Sequence, residues 1–291
     1  MRPNRLTLSQ SSRFAFSLFL LFALTVWSCS GDEDLQEVLQ QLEEEGASEE
    51  EPSDQDEGSG DEGSGEEGSD EENSDEESSD ECPSQVSFFF EEKDGLVSVE
   101  FEDNEFDSDW ELRNDATGTS GEGYRIWIGN QTLGQPGNGL VVFPIAITKT
   151  GTYRFVWNSS FRQGDQGSEH NDSWLRFADA ADFFGSKNDG ASIVYPKGTG
   201  KTPNPEGSSA DGWFKIYRSG NNNDFKWQSS TSDNDAHNIF VTFDTPGIYT
   251  MEVSARSSFH GIDRFMLFHS DMSFNEALGA ADTFSVKKTC P

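Results

Sequence analysis

Between Ser30 and Glu81 the chain carries 25 Asp and Glu residues and no Lys or Arg, so a packed core has to be built from the residues beyond Glu81. Gly and Ser make up most of the remainder, as in "DEGSGDEGSGEEGSDEENSDEESSDE". A segment this charged cannot bury enough apolar surface to offset its ordering entropy, and the sequence predicts a disordered, self-repelling tether. Only "EDLQEVLQQLEEE" has the pattern of a transient helix. The acidic repeats lack the spacing and turn glycine of a 12-residue EF-hand loop, which favours a solvated stalk over calcium sites. A flexible chain of 52 residues spans on the order of 40 Å, and charge repulsion extends it further.

After the tract, Ser84 to Pro291 supplies enough residues for one large domain. Helical periodicity is confined to "DMSFNEALGAADTF" (271–284). Alternating runs recur instead: "SFFFEEKDGLVSVEFE", "GYRIWIG", "LVVFPIAI", "TYRFVWNSS", "SWLRFA", "WFKIYRSG", "NIFVTF", "IYTMEVSAR" and "DRFMLF". Loops rich in Gly, Asn, Asp and Pro separate them. Many short strands with such punctuation predict a β-sandwich or barrel with no βαβ unit. The segments 148–161 and 243–259 share a turn glycine, a tyrosine two residues on and then a strand, which predicts equivalent hairpins in two sheets. Tyr153, Phe155 and Trp157 point to one face and Arg154 and Val156 to the other, so Tyr153, Trp157 and Tyr249 are expected in the core.

Residues 84–291 hold 17 basic and 29 acidic residues, a net charge of −12. That balance makes nucleic acid and anionic membrane surfaces poor partners. It also disfavours a strongly anionic polymer as ligand.

The N-terminus has the three parts of an export signal: Arg2, Arg5 and Arg13, then "FAFSLFLLFALTVW", then Ser28. The apolar run is shorter than the roughly 20 residues of a spanning helix. Cys29 after Ser28 resembles a bacterial lipobox, although Trp27 stands where a small residue is usual. The adjoining "SGDED" resembles the acidic export signal of Bacteroidota surface lipoproteins. The resemblance implies a cleaved signal (1–28), lipid on Cys29, and anchoring of an acidic stalk (29–81) to the outer membrane at the cell surface. Cys82 and Cys290 then remain; in an exported protein they suggest a disulfide closing the domain 82–291, the alternative being two free thiols.

"VSVEFEDNEF", "GEGYRIWIGN", "TKTGTYRFVWNSS" and "SSFHGIDRFMLF" occur in an order that resembles the jelly-roll carbohydrate-binding modules related to families 6 and 35. The resemblance covers about 100–268, with an insertion at 182–212. It implies a jelly-roll β-sandwich that binds polysaccharide without cleaving it, a structural calcium ion on Glu100, Glu102 and Asp263, and companion glycan-uptake or glycan-degrading proteins. Without a cation, Glu100 and Glu102 would simply face water.

Sugar rings need flat apolar faces and polar groups for their hydroxyls. The resemblance makes Trp227 a stacking platform and Tyr124 its partner across the ring. Trp127, on the opposite face of the same strand, is expected half-buried. Asn171 and Asp172 beside Trp174 supply the groups that hydroxyl recognition requires; an Asx turn with Trp174 packed inward is the other reading of that stretch. His260 stands where the family presents a polar contact, often Asn. Trp213 comes just after the insertion and is a candidate platform or lid.

Signs of catalysis are weak. Glu105 and Asp107 fit the start of a Glu-x-Asp-x-x-Glu glycosidase strand, but Glu111 falls one residue late. No Gln-x-His or Gly-x-Ser-x-Gly occurs, and the four histidines have no metal-binding spacing. The expectation is a non-catalytic binder of a neutral β-glucan. A jelly-roll lyase or hydrolase, and a protein-binding adhesin or assembly lipoprotein, are the alternatives.

Overall fold

In the computed structural model, the residues described are Cys82, 86–107, 109–187 and 190–290. The signal segment, Cys29 and the acidic stalk lie outside the described residues. Among those described, no helix is long and apolar enough to cross a membrane.

The strands, in order, are β1 (Phe88–Glu91), β2 (Leu96–Glu100), β3 (Trp110–Arg113), β4 (Tyr124–Trp127), β5 (Val141–Ile147), β6 (Gly151–Phe161), β7 (Asp172–Phe177), β8 (Asp182–Ser186) and β9 (Ile193–Val194). They continue with β10 (Ser209–Ala210), β11 (Trp213–Tyr217), β12 (Lys226–Trp227), β13 (Ser230–Thr231), β14 (His237–Phe243), β15 (Gly247–Ala255), β16 (His260–His269) and β17 (Lys287–Thr289). A short helix, α1 (Phe274–Gly279), precedes the last strand and opens on a capping box between Ser273 and Glu276.

Pairing separates these strands into two sheets. The first runs β17–β1–β5–β15–β7–β11–β10, antiparallel except for the parallel pair β1–β5. The second runs β2–β16–β6–β14–β8–β9, with β4 also on β16 and β3 on β4. The short β13 joins β11 to β14 and so links the sheets. From β5 onward the chain alternates between sheets: β5, β7, β11 and β15 lie in the first, and β6, β8, β14 and β16 in the second. That winding makes the described domain an all-β jelly-roll sandwich. The look-alike segments 148–161 and 243–259 supply β6 and β15, one in each sheet.

Inward side chains at every second position build the core. Phe143, Leu175, Phe214, Ile216 and Val253 from the first sheet meet Phe155, Trp157, Ile239, Val241 and Phe265 from the second. Tyr153 is buried with them, and Tyr249 packs half-buried against the same cluster. Val156, on the other face of β6, joins Leu96, Met266 and Phe268 in a second cluster roofed by Ala277 and Ala281. α1 thus covers the outer face of the second sheet where β2, β16 and β6 lie.

All nine alternating runs form strands. The stretch 182–212, expected as an insertion, also contributes β8, β9 and β10. Its pattern hid them because β8 places a glycine in a strand of five residues. Gly185 is required there by packing: a Cβ would lie 2.9 Å from both Thr231 Cγ2 and Val194 Cγ2. At the domain's edge a disulfide joins Cys82 to Cys290 across a separation of 208 residues. The Cys290 amide donates to Ser87 O beside the β1–β17 pair.

Candidate functional site

Three carboxylates meet around one loop. Glu100 ends β2, a 3-10 turn (Phe101–Asp103) presents Glu102, and Asp263 sits at a bulge in β16. Ser120 ties two of them together: its hydroxyl donates to Glu100 Oε2 (2.9 Å) and its amide to Asp263 Oδ1 (2.9 Å). The Glu122 amide donates to Glu102 Oε1 at 2.8 Å. Asn158 Nδ2 donates to Asp263 Oδ2 and to Gly118 O, both at 2.9 Å. Gly121 presses against the cluster with φ +55, and a Cβ there would fall 2.3 Å from Glu102 Oε1.

The donors do not saturate the acceptors. Glu100 Oε1, Glu102 Oε2 and Asn158 Oδ1 are buried without a partner. Burial, reinforced by Glu102 and Asp263, raises Glu100 to about 7 against the opposing Ser120 hydrogen bond. Burial likewise raises Asp263 to about 6 and lifts Glu102. Arg264 Nε lies 3.6 Å from Asp263 Oδ2, and Arg125 also interacts electrostatically with Glu102. Among the described residues, no three His, Cys, Asp or Glu side chains are already arranged to hold a metal ion.

The expected sugar platforms are placed differently from the sequence reading. Tyr124 is fully buried: its hydroxyl donates to Asp115 Oδ1 (2.6 Å), and Phe225 and Arg162 cover its ring. Trp127 is buried rather than half-buried; it donates Nε1–H to Asn130 O and packs on Trp110. Trp174 packs inward of the 130–139 loop, donating to Thr132 O beneath the Arg256 guanidinium. Trp213 is buried under Arg176, whose guanidinium carbon lies 4.5 Å from the ring centroid. Trp227 alone is half-buried, against the second cluster and beneath Arg264. It cannot face a buried Tyr124 across a sugar.

Large amphipathic rings settle inside wherever their N–H or O–H finds a partner, and here loop carbonyls or carboxylates provide one for Tyr124, Trp127 and Trp174. The polar candidates are occupied too. Asn171 donates to Gly167 O and Arg218 O, and Asp172 accepts from Arg256 and from Ser257 Oγ, both at 2.6 Å. His260 bonds Ser173 Oγ through Nδ1; burial, helped by Arg218, lowers it to about 3 and keeps it neutral.

An open cavity of about 410 Å³ lies beside these residues. Its lining includes Asn171, Lys215, Tyr217, Ser219, Asn221 and Asp233. Alternation along β11 sets it up: Phe214 and Ile216 enter the core, so Lys215 and Tyr217 point to the other face. Lys215 pairs with Asp233 and lies 4.0 Å from Asp172, with its ammonium 5.4 Å from the Tyr217 ring centroid. Ser232 (φ 69) and Asn234 (φ 61) flank Asp233 in the left-handed region, and His170 (φ 56) precedes Asn171. Such conformations cost energy in residues with a side chain, and they cluster at binding sites. The two rim loops touch at Gly167, where a Cβ would meet Gly220 O at 1.9 Å. The alternation of "WFKIY" was the available signal for Lys215 and Tyr217; nothing local in the sequence brings Asp233 to them.

The fold and site define an all-β sandwich with an open polar cavity on one sheet and a carboxylate cluster on the other. No protein-family model and no curated protein matches the chain. Among solved structures it is similar to a Podospora anserina GH26-CBM35 β-(1,4)-mannanase, at 14% identity and TM-score 0.37, over 62% of this chain and 29% of that one. It is also similar to the CBM35 of Cellvibrio japonicus Abf62, at 16% identity and TM-score 0.33, over 59% and 91%. An isomalto-dextranase of Arthrobacter globiformis T6 is similar at 12% identity and TM-score 0.34, over 60% and 23%. The chain therefore spans less than a third of the mannanase and of the isomalto-dextranase. Similarity this weak carries no inference about ligand or activity.

Proposed function

We propose that residues 82–291 form a non-catalytic polysaccharide-binding domain whose ligand enters the cavity at Tyr217. The observation that carries the reading is the cavity itself: one ring, Tyr217, stands among the amides and hydroxyls of Asn221, Ser219 and Asn234. Its volume lies in the range of roughly 300–1,000 Å³ common to ligand sites. Lys215 is already matched by Asp233 and Asp172, so the cavity offers no uncompensated charge. That supports a neutral polymer, with a β-glucan as the first choice.

Binding without cleavage rests on the carboxylates. Asp233 is the carboxylate among the lining residues and is engaged by Lys215. Asp172, the nearest other one, is buried and held by Arg256 and Ser257. Most glycoside hydrolases need two working carboxyl groups facing the bond, about 5–10 Å apart.

The reading extends to a calcium ion held by Glu100, Glu102 and Asp263. Buried carboxylate oxygens without partners suit a hard cation with oxygen ligands. Bound there, calcium would neutralise the cluster and fix the 118–123 loop to the end of β2. The sequence further supports export, lipidation at Cys29, and display of the domain from the outer membrane on the acidic stalk. Glycan-uptake or glycan-degrading proteins would be its companions. Many anchored copies meeting one long polymer gain avidity even where each site is weak.

The test is native affinity electrophoresis of the full chain in gels carrying neutral or anionic polysaccharides, with and without EDTA. We expect retardation by a neutral glucan, weakened about tenfold by Tyr217→Ala, with no reducing ends released. Uniform mobility across the panel would sink the reading and favour a protein-binding adhesin.

A further inference from the structure

We propose that the inter-sheet space beside Arg218, at one end of the sandwich, binds a small monovalent anion of the halide class. The site does not depend on the polysaccharide reading and stands whether or not the Tyr217 cavity takes a sugar.

Alternation brings the lining together. Along β6, Trp157, Ser159 and Phe161 share the inward face with the core residue Phe155. In the neighbouring β16, Ile262 pairs with Ser159 and His260 with Phe161, so His260 points inward as Ile262 does. The first sheet adds Ser173, two residues before the core residue Leu175, and its hydroxyl meets His260 Nδ1 at 2.8 Å across the sandwich. Arg218 follows Phe214 and Ile216 in the same alternation, just past the end of β11. Its guanidinium carbon lies 5.2 Å from the Phe161 ring centroid, and the His260 and Trp157 rings lie 5.4 Å apart. Arg218, His260, Trp157, Ser159 and Ser173 are each 0 % exposed, so this end of an otherwise apolar interior is polar and closed.

Charge and hydrogen bonding are both incomplete there. Arg218 donates through its terminal nitrogens to Asn222 O (2.6 Å) and Asn222 Oδ1 (3.0 Å), a neutral partner, while its Nε is buried without one. Among the described residues no carboxylate forms an ion pair with Arg218; Asp224, which acts on it electrostatically, is exposed. Lys226 lies close enough to feel the Arg218 charge and adds a second cation. Trp157 Nε1, Ser159 Oγ and His260 Nε2 are likewise buried without partners. Arg Nε and Trp Nε1 can only donate, a Ser hydroxyl can donate, and His260 Nε2 carries a hydrogen when Ser173 donates to Nδ1. Burial keeps His260 neutral, so it brings a donor and no charge. A buried cation without a counter-ion is costly, and so is each unmade hydrogen bond. One acceptor of charge −1 removes both costs, whereas water would satisfy the donors and leave the charge. The closed lining selects a compact ion over a sugar carboxylate. Ser219, Gly220 and Asn221, which follow Arg218, line the Tyr217 cavity, so the ion also fixes one root of that rim.

The experiment is thermal unfolding of the full chain in sodium chloride, bromide and gluconate at equal ionic strength, together with anomalous diffraction from a bromide-soaked crystal. With chloride tenfold above its dissociation constant, the midpoint should stand about 3–6 °C higher than in gluconate, and bromide should match chloride. The difference should vanish in Arg218→Met and shrink in Ser159→Ala, and these variants also subtract any general effect of the salts. The crystal should show bromide beside Arg218 Nε and Trp157 Nε1. Should Arg218→Met fail to fold, Ser159→Ala and the bromide peak decide. Equal midpoints in halide and gluconate, or no bromide at Arg218, overturn the proposal and leave water as the partner of these donors. A halide effect unchanged in the variants places the ion elsewhere and overturns it as well.

Discussion

Glu100 is a carboxylate that the fold, without a cation, keeps partly protonated up to neutral pH, which gives the cluster a measurable signature. Its value rises from 4.5 to about 7 and that of Asp263 from 3.8 to about 6, chiefly through burial. Between those limits the folded state binds more protons than the unfolded chain, so stability falls as pH rises through the window. Shifts of this size amount to a few kcal/mol as an order of magnitude. In EDTA the thermal midpoint should therefore decline from about pH 4.5 to 7, and added calcium should remove the decline and raise the midpoint at pH 7. A midpoint indifferent to both pH and calcium would exclude the proposed ion.

Glu92 behaves in the opposite sense. Burial pushes it up, but the Thr148 hydroxyl and the amides of Gly95, Lys149 and Thr148 together hold it below the usual range. Its contribution is present above about pH 4.5 and is lost as pH falls. Glu92→Gln should cost about 1–3 kcal/mol at pH 7 in a urea melt and less under acid, where the native carboxylate is protonated as well. At this scale the sequence disclosed types better than environments. Glu100, Glu102 and Asp263 do gather around the 118–123 loop, yet the aromatic candidates could not be sorted into exposed and buried. Their environment depends on loops such as 130–139 folding back over Trp127 and Trp174, and no local pattern encodes that return.

Elements were more legible than residues because periodicity is a local property. Each run with strict alternation became a strand, and "DMSFNEALGAADTF" became α1 with Ser273 and Glu276 closing a capping box. The strands that escaped, such as β8, β9 and β10, are short or carry glycine; β9 and β10 pair with their sequence neighbours β8 and β11, and β8 is completed by the distant β14. Ser273→Ala should remove the cap for about 1 kcal/mol, which in a domain of this size lowers the thermal midpoint by roughly 2–4 °C. The loop 118–123 is less forgiving. Gly121→Ala forces a side chain into φ +55 and against Glu102, so both stability and calcium-dependent stabilisation should drop. A Gly121→Ala protein with the calcium response of the parent would separate that loop from the ion.

For the described domain as a whole, the connection between its two ends is a distinct source of stability. β17 is three residues long, and its side chains reach β1 and the turn after β2: Lys287 lies 4.1 Å from the Phe88 ring centroid and donates to Asp103 O, and Lys288 pairs with Glu91. Contacts of this exposed kind contribute little each. The disulfide between Cys82 and Cys290 closes a loop of 208 residues, for which chain entropy predicts on the order of 5 kcal/mol. That is comparable to the entire stability of many domains. In strand order, β1 is separated from β11 by β5, β15 and β7, so the edge that the bond secures is remote from the Tyr217 cavity. The Cys82→Ser, Cys290→Ser double variant should therefore melt about 10 °C or more below the parent in a non-reducing scan. Well below that transition it should retain the parent's affinity for whichever polysaccharide binds. Equal midpoints would show that the noncovalent contacts of β1 and β17 suffice. Lost affinity at low temperature would show that the edge and the cavity are coupled through the sheet.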